Sequence, residues 1–484
     1  MEKVNKIIRN VITVLVVIVL SLIAFIGVYV EENGVYKNLI PSFTYGMDID
    51  GTRELRYLLD TTSEEKDVYV DENGNIMGIV PDQEETALED EISLDSTVEN
   101  QEEAKDIENN TGYKIEKRTI FVNPEVKTLG DFENTKRIIQ ERLAKENNIE
   151  YNIRLDTLSN NELVLEVANN EEYVGFVRGM VENVGRLEII DNETGVILMD
   201  NSHIKGASAS VGYAHDEAGN QSNESQVYLT LELTKEGKEK LREISNNYKI
   251  SYDEAGNDTS RIISLNIDDI TLLQTAFSEE YNQSILQFPM GDATTNNEDL
   301  KTIFEDVEMF AKVVDTGRLP LIYNLSSDNY IQSQITKDVL IISVIIFSVA
   351  LAIVSIIFVV KFKAKGFLGV ILNIGYVALL VLVSRYFDIV ITLNSSFAFV
   401  AGAVLNTVFT YMFLSKIKEG LTSKEAFKNT FKNIYLSIVP ICIIAIIFTC
   451  TGNAVVGSIG TVLFWGILIQ MLYGLLFVKS FNNK

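Results

Sequence analysis

Few residues here could do chemistry of their own. The chain has two histidines, His203 and His215, and two cysteines, Cys442 and Cys450. Both cysteines fall in one apolar segment. Eight residues apart on a helix, they would stand about 12 Å from each other, beyond the reach of a disulfide. With no cysteine elsewhere, no His/Cys zinc constellation can form. A Gly-x-x-x-x-Gly-Lys-Ser/Thr phosphate loop and a Gly-x-Ser-x-Gly elbow are both absent. The pattern predicts no enzyme and calls for no cofactor or metal. A net charge of −26 with scattered basic residues also argues against nucleic acid, whose phosphates the chain would repel. Asp-Glu-x-Gly-Asn occurs three times, at Asp71–Asn75, Asp216–Asn220 and Asp253–Asn257. The spacing does not match a twelve-residue calcium loop, so these read as hairpin tips where Gly and Asn supply positive φ.

The elements that hold the remaining polar residues divide between two solvents. Residues 10–30 run without a charge, long enough to span a bilayer and without a small-residue cleavage site. Five further apolar runs follow at about 339–360, 367–384, 396–414, 434–451 and 457–478. Lys3, Lys6 and Arg9 precede the first run. Lys361, Lys363 and Lys365, then Lys416, Lys418, Lys424, Lys428 and Lys432, then Lys479 and Lys484 occupy alternate linkers. Threading six helices puts all of these on one side, the cytoplasmic side by the positive-inside rule. Both termini then lie in the cytoplasm and residues 31–338 outside it. The expected domains are 1–30, a membrane anchor; 31–338, an outside domain; and 339–484, a five-helix membrane block. By these boundaries no Asp, Glu, His, Lys or Arg lies within a late helix. Asn373, Asn406, Thr407, Thr410 and Gln470 are the polar residues at depth, suited to hydrogen bonds between helices. Pro440 is placed to kink the fifth helix.

The outside region is large enough for its own core. Residues 82–110 hold twelve acidic residues against one basic, Lys105, and no aromatic. Such a segment cannot offset its ordering entropy by burial and reads as a disordered insert. From 113 to 200 the periodicity predicts strand Thr119–Val122, helix Asp131–Asn147, strands Tyr151–Leu155 and Glu162–Val167, helix Glu172–Asn183 and strand Gly185–Ile190. That βαββαβ order is the ferredoxin-like arrangement. A second α/β portion, 201–320, has strands Gln226–Leu233 and Arg261–Ile267, a helix capped by Thr234, and a helix near Asn297–Val314 with Asp299 in its first turn. The fold class is thus a multi-pass α-helical membrane protein with a large α+β extracytoplasmic domain.

One motif follows the first helix: Tyr45-Gly46-Met47-Asp48-Ile49-Asp50-Gly51-Thr52. The glycines allow a tight turn or close backbone approach, and Asp48 can accept from nearby amides. The motif resembles the Gly-Leu-Asp-Leu-x-Gly-Gly element that opens the outside domain of SecD, a subunit of the bacterial Sec translocation machinery within the RND-type superfamily. Gly46, Asp48 and Gly51 match, and Thr52 stands where a second Gly is usual. Further segments resemble the family in order: Gly185-Arg186-Leu187-Glu188, Leu233-Thr234-Lys235-Glu236-Gly237, Gly317-Arg318-Leu319-Pro320, and Asn406 followed by Lys418-Glu419-Gly420. One helix, an outside domain and five helices is also the family's layout. The resemblance implies an accessory subunit that assists late steps of protein export. Its partners would be SecF, the SecYEG channel, the translocating polypeptide and membrane lipid. Pro41–Asp50 and Gly317–Asn324 are expected as hinges.

The fourth helix departs from the family, which carries an Asp regarded as part of a proton path. Aligning on Asn406 puts Val404 at that position, and aligning on Gly402-Ala403-Val404 puts Leu405 there. Neither carries a proton. An ionisable residue at depth is the usual mark of a relay, so SecF would supply the titratable groups or coupling is lost. Alternative readings are an RND-type half-subunit exporting a small molecule or lipid, and a membrane-anchored scaffold.

Overall fold

The computed structural model describes residues 2–32, 35–70, 76–79, 114–124, 127–146, 149–156, 161–215, 221–252, 259–268, 270–333, 335, 337–451 and 453–481. The three Asp-Glu-x-Gly-Asn motifs and the acidic stretch 82–110 lie outside them. Strands flanking two of those motifs pair antiparallel, Val70 with Ile76 and His215 with Gln221.

The chain begins with α1 (Glu2–Phe25) and a hairpin, β1 (Tyr29–Glu32) and β2 (Val35–Asn38). The apolar run predicted through residue 30 is therefore helical only as far as Phe25. Gly27, at φ +101°, ends the helix, and Asn38 Oδ1 receives the amides of Val28 and Ile40 at 3.0 and 3.1 Å. Next come α2 (Met47–Asp50), β3 (Thr52–Leu59), β4 (Ser63–Val70), β5 (Ile76–Ile79) and β6 (Lys114–Phe121). These are followed by α3 (Leu129–Ala144), β7 (Tyr151–Asp156), β8 (Glu162–Ala168), α4 (Glu171–Glu182), β9 (Leu187–Asp191) and β10 (Ile197–Asp200). Then come β11 (Ile204–His215), β12 (Gln221–Leu233), α5 (Lys235–Asn247), β13 (Ile263–Ile267), β14 (Ile270–Thr275), β15 (Ile285–Thr294), α6 (Asn297–Asp315) and β16 (Tyr323–Ile331). The caps act as the sequence predicts: Thr234 Oγ1 receives Gly237 N at 3.0 Å, and Asp299 lies in the first turn of α6.

The strand pairing corrects the sequence reading. β7 and β8 belong to a four-stranded antiparallel sheet of order β16-β3-β8-β7. The segments expected to complete it lie elsewhere: Thr119–Phe121 in β6 pairs with β4, and β9 sits between β10 and β13. Alternation tells which face of a strand is buried but not which strand lies beside it. Helices α3 and α4 cover the sheet, joining Leu55, Ile139, Leu165, Val177 and Leu321 in one core. Arg142 is fully buried there. Its guanidinium donates to the carbonyls of Met180, Asn183, Val184 and Gly317 at 2.6–2.9 Å, and burial pulls its pKa down to about 10. In the segment Gly317–Asn324, Leu319, Leu321 and Tyr323 are core residues, and β16 begins at Tyr323. A second core gathers β9, β12, β13, α5 and α6.

The C-terminal block is α7 (Lys337–Phe362), α8 (Ala364–Tyr386), α9 (Leu393–Lys418), α10 (Ser423–Thr449) and α11 (Ala454–Ser480). Among the described residues, four helices are long and apolar enough to cross a membrane, or five if bent α10 is one span. Its halves, Ser423–Ile434 and Ile438–Thr449, meet at 61°. Pro440 accounts for the bend, because its ring clashes with the carbonyl four residues earlier. Within α1 the apolar stretch is Asn10–Phe25, about 24 Å by helical rise. The molecule is thus an integral membrane protein with a sheet-rich domain. Helix α1 packs along α8, and α11 packs against α9 and α10. Gly402 and Gly466 permit the approach of α8, α9 and α11. A Cβ at either would stand 3.0 Å from Tyr376 Oη, which donates to the Gly466 carbonyl at 3.1 Å. Helix ends reach further than the apolar runs suggested, so Arg385 falls in the last turn of α8, buried.

Candidate functional site at the domain–membrane junction

Residues 39–46 link the β-hairpin to α2 and, with α2, lie over the C-terminal end of α8 and the N-terminal end of α9. Gly46 N donates to the Ile391 carbonyl at 2.9 Å, and Ile391 N donates to the Thr44 carbonyl at 2.8 Å. This makes a short parallel bridge, Tyr45 with Ile391. Met47 N donates to Glu150 Oε2 at 2.7 Å. Leu393 N, in the first turn of α9, donates to Asp48 Oδ2 at 2.6 Å. A carboxylate at that place complements the positive end of the helix dipole. The Asp48 carbonyl receives Ile335 N at 3.1 Å. Both connectors between domain and bundle therefore meet at Asp48.

The two glycines of the motif are set by crowding and backbone conformation. A Cβ on Gly46 would collide with Glu150 Oε2 and Thr392 Cγ2 and stand 3.3 Å from Asp48 Oδ1. Gly51 has φ +90°, where a Cβ would meet the Tyr330 ring at 2.7 Å and the Ile331 carbonyl at 3.0 Å. The structure thus brings together all three motif residues expected from the sequence.

It also adds residues that sequence reasoning missed. Arg385 donates to the carbonyls of Pro41, Ala24 and Ile40 at 2.6, 2.9 and 3.4 Å, and its guanidinium lies 4.9 Å from the Phe43 ring centre. Asp388 receives Thr44 Oγ1, and Tyr173 Oη at 3.3 Å. Burial raises the Glu150 carboxyl above its ordinary pKa of 4.5, and the charge of Asp48 raises it further. Burial likewise raises the Tyr173 hydroxyl, with Asp388 next in effect, and the Tyr45 hydroxyl, with Asp50 next. A lone basic residue at the end of an apolar run was a signal for Arg385. Glu150 gave none, because its burial comes from a segment more than a hundred positions away.

Below the junction lies a cavity of about 510 Å³ between α7, α8 and α9. Phe43 and Tyr45 line it, together with Asn373, Asn406 and Thr407. The amide cluster is bonded in part, with Asn406 Oδ1 and Gln470 Oε1 buried and without a hydrogen-bond partner. Asn406 Nδ2 donates to Asn373 Oδ1 at 2.5 Å, Thr410 Oγ1 donates to the same oxygen at 3.2 Å, and Asn373 Nδ2 donates to Thr407 Oγ1 at 3.3 Å. Gln470 Nε2 reaches the Leu405 carbonyl at 3.5 Å. Amides and hydroxyls at neutral pH join helices but do not titrate. Among the described residues, no Asp, Glu, His, Lys or Arg lines the cavity. Val404 is 54% exposed on the outside of the bundle, and Leu405 packs toward Phe409 and Ile434.

No protein-family model and no curated protein matches the sequence. Solved structures do. A crystal structure of SecDF in a super-membrane-facing form superposes on 99% of this chain and 57% of its own, with a TM-score of 0.60 at 13% identity. SecDF from Thermus thermophilus, a translocon-associated membrane protein, covers 98% of this chain and 58% of its own, with a TM-score of 0.38 at 13% identity. The chain spans a little over half the length of these SecDF chains. Along nearly all of its own length it has a SecDF-like fold.

Proposed function

We propose that the chain is a SecD-type accessory subunit of the Sec translocase, acting with SecF and the SecYEG channel in late steps of protein export. The observation that carries this reading is the superposition on SecDF over 99% of the chain. SecF is the partner that the resemblance implies. In this reading α1 also crosses the membrane, giving six spans with both termini cytoplasmic and residues 31–338 outside. The sheet β16-β3-β8-β7 with α3 and α4 then forms the ferredoxin-like unit, its adjacent strands β3 and β16 drawn from the two ends of the domain. The chain is not an enzyme; it handles translocating polypeptide. With Val404 and Leu405 at the place of the family's relay Asp, any proton coupling uses groups on SecF or outside the bundle.

Affinity purification of the full chain in mild detergent tests the reading. SecF and SecY should co-purify, and deleting the gene should slow export of secreted precursors. An eluate without either protein, together with unchanged export, would leave the proposal without support.

A further inference from the structure

One edge of the sheet-rich domain carries a row of backbone groups with nothing to bond. Strand β11 pairs with β12 alone, in a three-stranded sheet of order β11-β12-β15. From Gly206 to Tyr213 its register is unbroken, with Ala207 opposite Leu231 and Val211 opposite Val227. Two bonds fix which way this backbone points. Ala207 N donates to Asp315 Oδ1 at 3.1 Å, away from β12. On the facing strand, Leu233 N donates to the Ser284 carbonyl at 2.8 Å, toward β15. Directions alternate along a strand, so Ala207, Ala209, Val211 and Tyr213 turn their amides and carbonyls outward. Asp315 caps this row at one end. Tyr228 Oη, donating to the Tyr213 carbonyl at 3.0 Å, caps it at the other. Between the caps, and among the described residues, the amides and carbonyls of Ala209 and Val211 have no partner. An open edge is usually guarded by charge or proline. The domain's other edges follow that rule: β15 carries Pro289, β6 Arg118, β7 Arg154 and β16 Asp328. Uncharged β14 is six residues long against twelve for β11. From Gly206 to Ala214, β11 has neither charge nor proline. Val211 and Tyr213 are 49% and 58% exposed, on the face where Ala207 and Ala209 meet the second core. The core stops short of them, which leaves an apolar shelf beside the open amides.

We propose that β11 is a docking edge for an extended polypeptide, which joins the sheet as a fourth strand along Ala209–Tyr213. Outward amides and carbonyls in alternation are matched by another extended backbone. Affinity comes from main-chain hydrogen bonds at Ala209 and Val211, which are the same for any sequence. Preference comes from the shelf, which meets every second side chain and favours apolar ones. Gly206, Ala207, Ser208, Ala209 and Ser210 are small enough for the incoming chain to lie close. The acidic stretch 82–110 fits this edge poorly, because Asp and Glu are depleted from strands. A segment of unfolded chain with apolar residues at alternate positions fits it well. The inference rests on the proposed function for the source of that segment, the translocating polypeptide, and adds where and how it is held. Recognition through the backbone is indifferent to sequence, as the handling of many different chains requires.

The probe is a capped, fluorescein-labelled decapeptide alternating valine with lysine, titrated by anisotropy onto the full chain in lipid nanodiscs. The same peptide N-methylated at every residue keeps its side chains and charge but loses its backbone donors. It should bind at least about tenfold more weakly, the loss of one or two hydrogen bonds. Val211→Pro removes an outward amide that takes no part in the β11–β12 ladder, a position where an edge strand tolerates proline. It should weaken the unmethylated peptide about tenfold, whereas Val211→Thr, which keeps the amide, should stay within about threefold of wild type. Bound peptide should slow hydrogen exchange at Ala209 and Val211. Equal binding of the two peptides, or no binding of either, would overturn the inference, as would wild-type affinity in Val211→Pro. Protection of Ala209 and Val211 before peptide is added would also overturn it, by showing the edge already taken by another segment or a second copy. Exchange in α5 reports whether Val211→Pro is folded; if it is not, the comparison of the two peptides on the wild type decides. None of these readouts needs SecF or the channel, so the edge can bind peptide where co-purification fails, and fail to bind where it succeeds.

Discussion

Arg385→Lys should loosen the junction without unfolding either half of the molecule. The arginine is 6% exposed and donates to three backbone carbonyls from three directions, two of them at 2.6 and 2.9 Å. A lysine keeps the charge but has one nitrogen, which cannot follow the planar fork to Ala24 and Pro41 together. Each charged-donor hydrogen bond contributes about 1.5–3 kcal/mol. Losing the Ala24 bond, and the stacking on Phe43 at about 0.5–1 kcal/mol, would remove about 2–4 kcal/mol. Water reaching the helix end recovers part of this, leaving about 2–3 kcal/mol. At 1.4 kcal/mol per tenfold, the open fraction of the junction rises about 30- to 150-fold.

Exchange of the Gly46 and Ile391 amides measures that opening, because each bonds across the junction. Both should exchange faster by about that factor in Arg385→Lys. Peptides in the core around Leu165 and Val177 should not change. If the junction peptides exchange at the wild-type rate, the guanidinium does not clamp the linker and the argument fails.

Three further outcomes follow from the same geometry. Gly51→Ala forces a Cβ onto φ +90° and against the Tyr330 ring, a loss of about 2 kcal/mol or more that calorimetry should read as a melting temperature lower by about 4–8 °C. Asn373→Leu removes the acceptor shared by Asn406 and Thr410. That should lower bundle stability by about 1–3 kcal/mol in thermal unfolding, whereas Asn373→Gln should lower it less. Val404→Ala changes a side chain facing away from the bundle, so stability should stay within about 0.5 kcal/mol and export at its wild-type rate. A large loss of proton-dependent export in that variant would contradict the placement.

Local signals in the sequence were reliable where local physics decides the outcome. Thr234 caps α5 because its hydroxyl reaches Gly237 N, a contact three residues long. Pro440 bends α10 through its own ring. Gly46, Asp48 and Gly51 stood out because their types suit tight backbone approach. What the sequence hid was partnership over distance. Thr52–Leu59 and Tyr323–Ile331 pair along their whole length, yet the alternation of each would suit any neighbour. The same limit hid Glu150, which precedes a strand and reads as a solvent-facing charge until Met47 covers it. Arg385 lies just past the apolar run 367–384, yet helix α8 carries it and backbone carbonyls satisfy it.

These features together bear on where movement can arise. Pro41–Asp50 was expected to act as a hinge, yet it is held by Arg385, by the Tyr45–Ile391 bridge and by Asp48. The amide cluster ties α8 to α9 below it, so linker, α8 and α9 form one block. The second connector reaches that block at Ile335, whose amide donates to the Asp48 carbonyl. Motion of the domain against the bundle must break the contacts at Asp48, since both connectors converge there.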